Sequence, residues 1–276
     1  MAKPQLTNAA RPATTEVEAF NERGEMIPTS IAGEHPLTLY LDKREIVTLM
    51  TLGHAPEALA IGFLRNQRLV SAVEDIASVQ VDWETDSVAV VSRNALDIDA
   101  RMARKTVTTG CGQGTVFGDL MEEIDEIRLR EDVRLTDARL FELVDKVRRH
   151  ETIYKQAGAV HGCALATTEA DILMFIEDVG RHNAVDAIAG RMWLDDIDGS
   201  DKVFYTTGRL TSEMVIKCAQ MRIPFLVSRS GLTHMGYSVA RKVGLTMLGR
   251  ASDRHYLLFT GKERLVRSLA QPTALA

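Results

Sequence analysis

Residues 202–248, KVFYTTGRLTSEMVIKCAQMRIPFLVSRSGLTHMGYSVARKVGLTML, decide the fold. Lys202–Thr206 is short, apolar and rich in aromatic and β-branched side chains, which predicts a strand. A polar turn, Thr206-Thr207-Gly208-Arg209, leads into Thr211–Met221, whose apolar spacing is helical; Thr211 or Ser212 can cap its start, and Glu213 suits the first turn. The pattern then repeats, with Pro224–Val227 as a strand, Thr233–Val243 as a helix and Leu245–Leu248 as a strand. Strands alternating with helices of about ten residues imply a layered α/β sheet. Working outward, Tyr256–Phe259 reads as a closing strand. Upstream, Val160–Ala166 and Ile172–Ile176 read as strands, Asn183–Trp193 as a helix, and residues 136–150 as a helix capped by Thr136.

The first half reads differently. Residues 35–50 (HPLTLYLDKREIVTLM) alternate apolar and polar positions and predict two strands joined near Asp42-Lys43. Pro56 opens a helix, since a proline suits a first helical turn. Residues 76–92 read as a hairpin turning near Glu84-Thr85-Asp86. The expected organisation is a disordered polar arm over residues 1–30, an α+β domain over 31–118, an acidic linker over 119–135, and an α/β domain over 136–276. The many acidic side chains of residues 119–132 read as a solvated face or a linker.

The composition is that of an ordinary globular protein of 276 residues, long enough for a sizeable core. A net charge of −5 argues against general nucleic-acid binding. No apolar run approaches the roughly 18 residues of a membrane span. The N-terminal residues lack the apolar core of a signal peptide. Three cysteines, Cys111, Cys163 and Cys218, stand far apart, which argues for a reducing, cytoplasmic setting rather than a disulfide framework.

Cys111 sits in Thr108-Thr109-Gly110-Cys111-Gly112-Gln113-Gly114-Thr115. Little in such a run could pack on a buried thiol, and flanking glycines suit a loop that carries a thiol to something else. Arg104 and Lys105 would favour the reactive thiolate; the alternative is a small residue in a turn. Three strand-to-helix turns could gather at the carboxyl ends of the strands, where open α/β sheets bind ligands. In Glu177-Asp178-Val179-Gly180-Arg181-His182-Asn183, Arg181 either meets a phosphate or bridges to Asp178 or Asp186, and His182 either touches ligand or lies on the surface. Gly208-Arg209 is a second anion candidate. Ser228-Arg229-Ser230-Gly231-Leu232-Thr233 fits binding and ordinary capping equally. His161 and Cys163 share one face of a strand, but no CxxC or second histidine at ligand spacing completes a zinc site, so no metal is expected. Cys163 and Cys218 read as buried small hydrophobes. Arg250 and Arg254 are either turn charges or help to close a cleft.

Several segments, in order, resemble the FdhD/NarQ family of sulfur carriers needed for formate dehydrogenase activity. They are Gly158-Ala159-Val160-His161, Glu177–Gly190 (EDVGRHNAVDAIAG), Thr207–Pro224 (TGRLTSEMVIKCAQMRIP) and Val243–Arg250 (VGLTMLGR), and the resemblance spans residues 35–261. It implies a cytidine-deaminase-like α/β C-terminal domain without the deaminase zinc, joined to a smaller N-terminal α+β domain. It also implies an activity: sulfur is accepted from a cysteine desulfurase as a persulfide. That sulfur passes to the molybdenum or tungsten bis(guanine dinucleotide) cofactor before insertion into apo formate dehydrogenase. By the match Cys111 carries the persulfide. The nucleotide-binding stretch falls on Leu248, Gly249, Arg250, Ala251, Ser252 and Asp253, with Arg181, His182, Asn183, Gly208, Arg209 and His161 as further cofactor contacts. A homodimer is implied.

The sequence departs from the family at two places. The usual second cysteine of the loop is Gly114 here, and the usual Thr-Gly before the histidine strand is Ala157-Gly158. Loss of the second cysteine keeps open a non-catalytic chaperone that binds the molybdenum cofactor. A zinc-dependent deaminase would rest on the expected fold alone.

Overall fold

The computed structural model describes residues 3–94, 96, 98, 106–107, 114–115, 124, 126–150 and 152–267. In chain order the elements are β1 (Gln5–Leu6), β2 (Thr14–Phe20), β3 (Met26–Ala32), β4 (His35–Leu41), β5 (Arg44–Thr51), α1 (Pro56–Asn66), β6 (Ile76–Asp82), β7 (Ser87–Ser92), β8 (Thr106–Val107) and β9 (Gly114–Thr115). Then come β10 (Leu135–Thr136), α2 (Asp137–His150), α3 (Ile153–Ala157), β11 (His161–Thr167), β12 (Ile172–Asp178) and α4 (Arg181–Leu194). The chain continues through β13 (Lys202–Thr206), α5 (Ser212–Gln220), β14 (Phe225–Ser228), α6 (His234–Val243), β15 (Thr246–Ser252), β16 (His255–Thr260) and β17 (Leu265–Val266).

These elements form two compact units, each drawn from three stretches of chain. The first is Met1–Glu123, Glu151–Cys163 and Ile176–Ile197; the second is Ile124–His150, Ala164–Phe175 and Asp198–Ala276. The expected cut at 119–135 is therefore replaced by a discontinuous division. The physical reason is helix α4, which comes late in sequence but packs on the early helix α1.

In the first unit a five-stranded sheet runs β1-β6-β7-β4-β5. The β4–β5 hairpin turns through Asp42 (φ 48°) and Lys43 (φ 70°), the two left-handed positions that match strand twist. Leu37, Leu39 and Leu41 alternate into the core with no exposure. Helix α1 is buried around almost its whole circumference, as expected of a helix that is apolar on every side. Its contact with α4 is close enough to demand glycine. A Cβ at Gly62 would stand 1.6 Å from the Asp186 carbonyl oxygen, and one at Gly190 would stand 1.9 Å from that of Ala58. Polar bonds seal the same contact: Asn66 Nδ2 donates to Asp186 Oδ1 (2.6 Å), and Arg65 Nη1 donates to the Ala189 carbonyl (2.8 Å).

The expected disordered arm over residues 1–30 is corrected from Lys3 onward. β1 pairs in parallel with β6, and the Ala9 amide donates to the buried Glu57 carboxylate (2.8 Å). Arg11 stacks 4.7 Å over the Trp83 ring and donates to the Trp83 carbonyl. β2 and β3 then form a full antiparallel hairpin. Polar composition suggested disorder; single docking residues and backbone pairing order the segment instead.

In the second unit the sheet order is β12-β11-β13-β14-β15-β16, with residues 164–167 and 172–175 supplying the first two strands here. β13, β14 and β15 are parallel, and β16 returns antiparallel. Val203, Tyr205, Phe225 and Val227 share a core with Leu140, Leu143 and Val147 of α2. The alternate residues Phe204, Leu226 and Met247 are equally buried, so both sheet faces are covered, the condition for a parallel sheet. Buried Arg264 ties the chain end to this unit, donating to the carbonyls of Arg130 (2.8 Å) and Gly244 (2.7 Å). The architecture is a mixed, layered α/β fold, and no helix among the described residues is long and apolar enough to cross a membrane.

Candidate functional site

The two units carry different kinds of polar turn. In the first, β12 ends on two carboxylates that are already engaged. Glu177 accepts from the amides of Thr152, Ile153 and Tyr154 and from Thr152 Oγ1, at 2.9–3.1 Å, so it caps the start of α3. Asp178 accepts from Thr51 Oγ1 (2.6 Å), the Leu52 amide (3.2 Å), the Gly180 amide (3.1 Å) and Asn183 Nδ2 (2.9 Å). Asn183 Nδ2 also donates to the Met50 carbonyl (2.6 Å). Asp178 thus joins the end of β5 to the turn before α4.

Burial pushes the Asp178 carboxyl above its ordinary value, and the hydrogen bonds it accepts pull the other way. Half-buried His54 lies in the field of both carboxylates. Burial holds its imidazole below the ordinary value despite the attraction of Asp178 and Glu177. The His54 Nδ1 atom is buried without a hydrogen bond among the described residues.

The sequence-predicted residues of this unit are distributed as follows. Asn183 is buried and positions the turn, rather than reaching outward. His182 is also buried, so the surface reading for it fails. Arg181 and His161 are half-buried. β8 and β9 pair Thr106 with Thr115 and Val107 with Gly114. Cys111, between them in sequence, lies outside the described residues.

In the second unit the turns after β13 and β14 are bonded to each other and to β15. Ser228 Oγ donates to the Gly208 carbonyl (2.7 Å), and the Leu210 amide to the Gly231 carbonyl (3.0 Å). The Arg250 amide donates to the Ser230 carbonyl (2.9 Å). Arg250 adopts φ 52°, a left-handed conformation that costs a non-glycine residue about 1 kcal/mol and is held here by that bond and the β15–β16 irregularity. Gly249 allows the approach: a Cβ there would meet the Ser230 carbonyl at 3.2 Å and the Phe259 ring at 3.1 Å.

Gly208 is buried while Arg209 and Arg250 are exposed on these fixed backbones. Leu248 and Ala251 belong to the core, so from the stretch 248–253 only Arg250, Ser252 and Asp253 present side chains outward. Asp253 faces Arg148 at 3.5 Å. Arg209 and Arg250 thus present exposed guanidinium groups on backbones fixed by these bonds.

Cys163 and Cys218 are both fully buried. Among the described residues no group of three or more His, Cys, Asp or Glu side chains could hold a metal ion. Sequence reasoning missed His54, a lone histidine before a helix with no local signal. It also left Ser228 and Ser230 undecided, because their part is to bond to loops distant in sequence.

The fold and its turns define a class: an α/β protein with polar strand-to-helix turns gathered at the carboxyl ends of parallel strands. The family follows from sequence, since the FdhD/NarQ family profile matches residues 32–266, and the chain belongs to that family. It is 29% identical over 242 residues to "Sulfur carrier protein FdhD" of Listeria innocua, covering 87% of this chain and 92% of that protein. It is 30% identical over 233 residues to the protein of the same description from Wolinella succinogenes, covering 84% and 81%. A crystal structure of a putative formate dehydrogenase accessory protein from Desulfotalea psychrophila superposes with a TM-score of 0.72 at 26% identity, covering 92% of this chain and 98% of that one.

Proposed function

We propose that this protein is a sulfur carrier for formate dehydrogenase maturation, with Cys111 as its persulfide-bearing residue. Family membership supports the role. The observation that carries the residue assignment is the complete burial of Cys163 and Cys218, the other two cysteines of the sequence. In the first step the Cys111 thiolate attacks the outer sulfur of a persulfide on a cysteine desulfurase. The donor S–S bond breaks, a new S–S bond forms on Cys111, and the donor leaves as a thiolate, with no net oxidation or reduction. With Gly114 in the second position, the loop has no second thiol with which to close an internal disulfide, so onward transfer would start from the Cys111 persulfide itself.

The cargo is the molybdenum or tungsten bis(guanine dinucleotide) cofactor, which receives the sulfur as substrate before insertion into the apoenzyme. In the second unit Gly208, Arg209 and the stretch Leu248–Asp253 would hold it, the buried members through backbone alone. In the first unit His161, Arg181 and His182 are proposed contacts to the same class of ligand, with Asn183 fixing their turn. A cytidine-deaminase-like fold of the α/β part, a homodimer and a cytoplasmic setting belong to the same reading.

Incubation with a cysteine desulfurase and cysteine, followed by non-reducing peptide mass spectrometry, tests it. The added sulfur is expected on the Cys111 peptide alone. No persulfide on any peptide, with the desulfurase shown active on another acceptor, sinks the carrier reading. Gly114 specifically favours one second reading, a chaperone that binds the cofactor and docks it without carrying sulfur.

A further inference from the structure

Exposed apolar surface and negative charge coincide on one element of the first unit. The β2–β3 hairpin carries Phe20 (73% exposed), Met26 (57%), Ile31 (47%) and Ile27 (42%). Scattered singly such residues need no explanation, but a cluster of them marks a contact surface. Helix α3 packs beside β3, and its Tyr154 is exposed as well. A two-stranded hairpin is marginal in water by itself, so apolar side chains left outward on one call for a partner.

The register places these side chains on both faces. Phe20 stands directly opposite Met26, on the face that also carries Glu18 and Pro28. Ile27 and Ile31 point to the other face, with Ala19 and Thr15. The tip is fixed. The Asn21 amide donates to the Glu25 carbonyl (3.1 Å), and Asn21 Oδ1 accepts from the amides of Arg23 (2.9 Å) and Glu25 (3.0 Å). At the base the Gly33 amide donates to the Ala13 carbonyl (2.8 Å). The hairpin is therefore a preorganised finger, apolar on both sides, a shape that fills a groove.

Its charge narrows the choice of occupant. Glu16, Glu18, Glu22 and Glu25 are exposed, against one basic residue, Arg23, which lies 3.9 Å from Glu22. The complementary surface is an apolar groove with a basic rim. A second copy's hairpin does not fit, because it would set four carboxylates against four. Strand addition is also disfavoured, since Glu16 and Glu18 charge β2 and Pro28 removes a backbone donor from β3. Cys111 falls in the stretch Met1–Glu123, which belongs to the same unit as the hairpin. A protein that hands sulfur to that thiol must seat itself on this unit.

We propose that the β2–β3 hairpin is the docking finger for the sulfur donor, a cysteine desulfurase that offers an apolar groove with a basic rim. The proposal rests on the carrier reading above and deepens it by naming the surface the donor meets.

The test measures binding of a cysteine desulfurase to the full chain by biolayer interferometry at two salt concentrations. In parallel, persulfide loading of Cys111 is followed with desulfurase plus cysteine and with inorganic polysulfide, a donor that needs no docking. Wild type is compared with Phe20→Ser/Met26→Ser, with Glu16→Lys/Glu18→Lys, and with a control, Leu173→Ser, which removes an exposed apolar side chain from the second unit. The apolar variant is expected to weaken desulfurase binding at least about tenfold. The charge variant should weaken it about fivefold at low salt and less at high salt. Both should load from polysulfide at the wild-type rate, and Leu173→Ser should bind within about twofold of wild type. Wild-type affinity in either hairpin variant, equal weakening by Leu173→Ser, or slower polysulfide loading in the hairpin variants would each overturn the finger. A changed sedimentation coefficient of the hairpin variants alone would also overturn it and assign the hairpin to contacts between copies. Wild type that loads from polysulfide but binds no desulfurase would overturn the finger and leave Cys111 as acceptor. Wild type that takes sulfur on Cys111 from neither donor would overturn the carrier reading itself.

Discussion

Two turns in this protein are spelled almost alike and are held in different ways. Val179-Gly180-Arg181 follows β12, and Thr207-Gly208-Arg209 follows β13; each leads from a strand into a helix. In the first, Glu177 and Asp178 accept eight hydrogen bonds between them, which join β5, α3 and α4. In the second, the preceding residues are Tyr205 and Thr206, the backbone is held by a neighbouring serine, and the arginine projects outward. A glycine-arginine pair therefore has no fixed meaning. The carboxylates or hydroxyls at the end of the preceding strand decide how the turn is held.

Four substitutions sharpen that contrast. The largest effect is expected in the helix contact below the first turn. Gly62→Ala drives a methyl group into the Asp186 backbone carbonyl, so a loss of about 3 kcal/mol or more in denaturant unfolding is expected, or no folded protein at all. Near-wild-type stability would mean that α1 and α4 can separate freely.

Asp178→Asn comes next. It places an amide donor where an oxygen accepts from N–H groups, and should cost about 2–3 kcal/mol. A smaller loss would reduce the first turn to a solvated loop. Ser228→Ala removes one buried donor and one acceptor from the second set of turns. About 1–2 kcal/mol of stability should go, together with nucleotide affinity, whereas Asp178→Asn acts on stability.

The smallest effect concerns pH. The folded His54 value is depressed below 6.5, so the unfolded chain takes up that proton first. Its stabilising contribution is complete above about pH 6.5 and is lost as the pH falls through the folded value. His54→Gln should flatten that part of the stability profile. An unchanged slope between pH 7 and 5 would assign it to other groups.

Much of the second unit was legible in the sequence because local periodicity and tertiary structure agree there. Lys202–Thr206 is a strand to the residue, and α5 and α6 start within a residue or two of the expected caps. Thr233 does accept from the Gly236 amide. α4 starts at Arg181 rather than Asn183, which puts His182 and Asn183 inside a buried helix instead of a surface turn. The rest was hidden for one reason: it depends on partners remote in sequence. The docking of Ala9 on Glu57, the Gly62–Gly190 crossing and the capping of α3 by Glu177 link residues between 23 and 128 positions apart, and no window of composition contains both ends. The division into two interleaved units has the same origin. The burial of Cys163 and Cys218 was readable, since each lies among apolar neighbours in a regular element.

The central claim is that sulfur passes through Cys111 and through no other thiol of this chain. Its most direct test is restoration of formate dehydrogenase activity in cells lacking their own carrier, using wild type, Cys111→Ala and the double variant Cys163→Ala/Cys218→Ala at matched soluble levels. The account predicts activity with wild type and the double variant and none with Cys111→Ala. Full activity from Cys111→Ala would contradict it and leave a cofactor chaperone in its place.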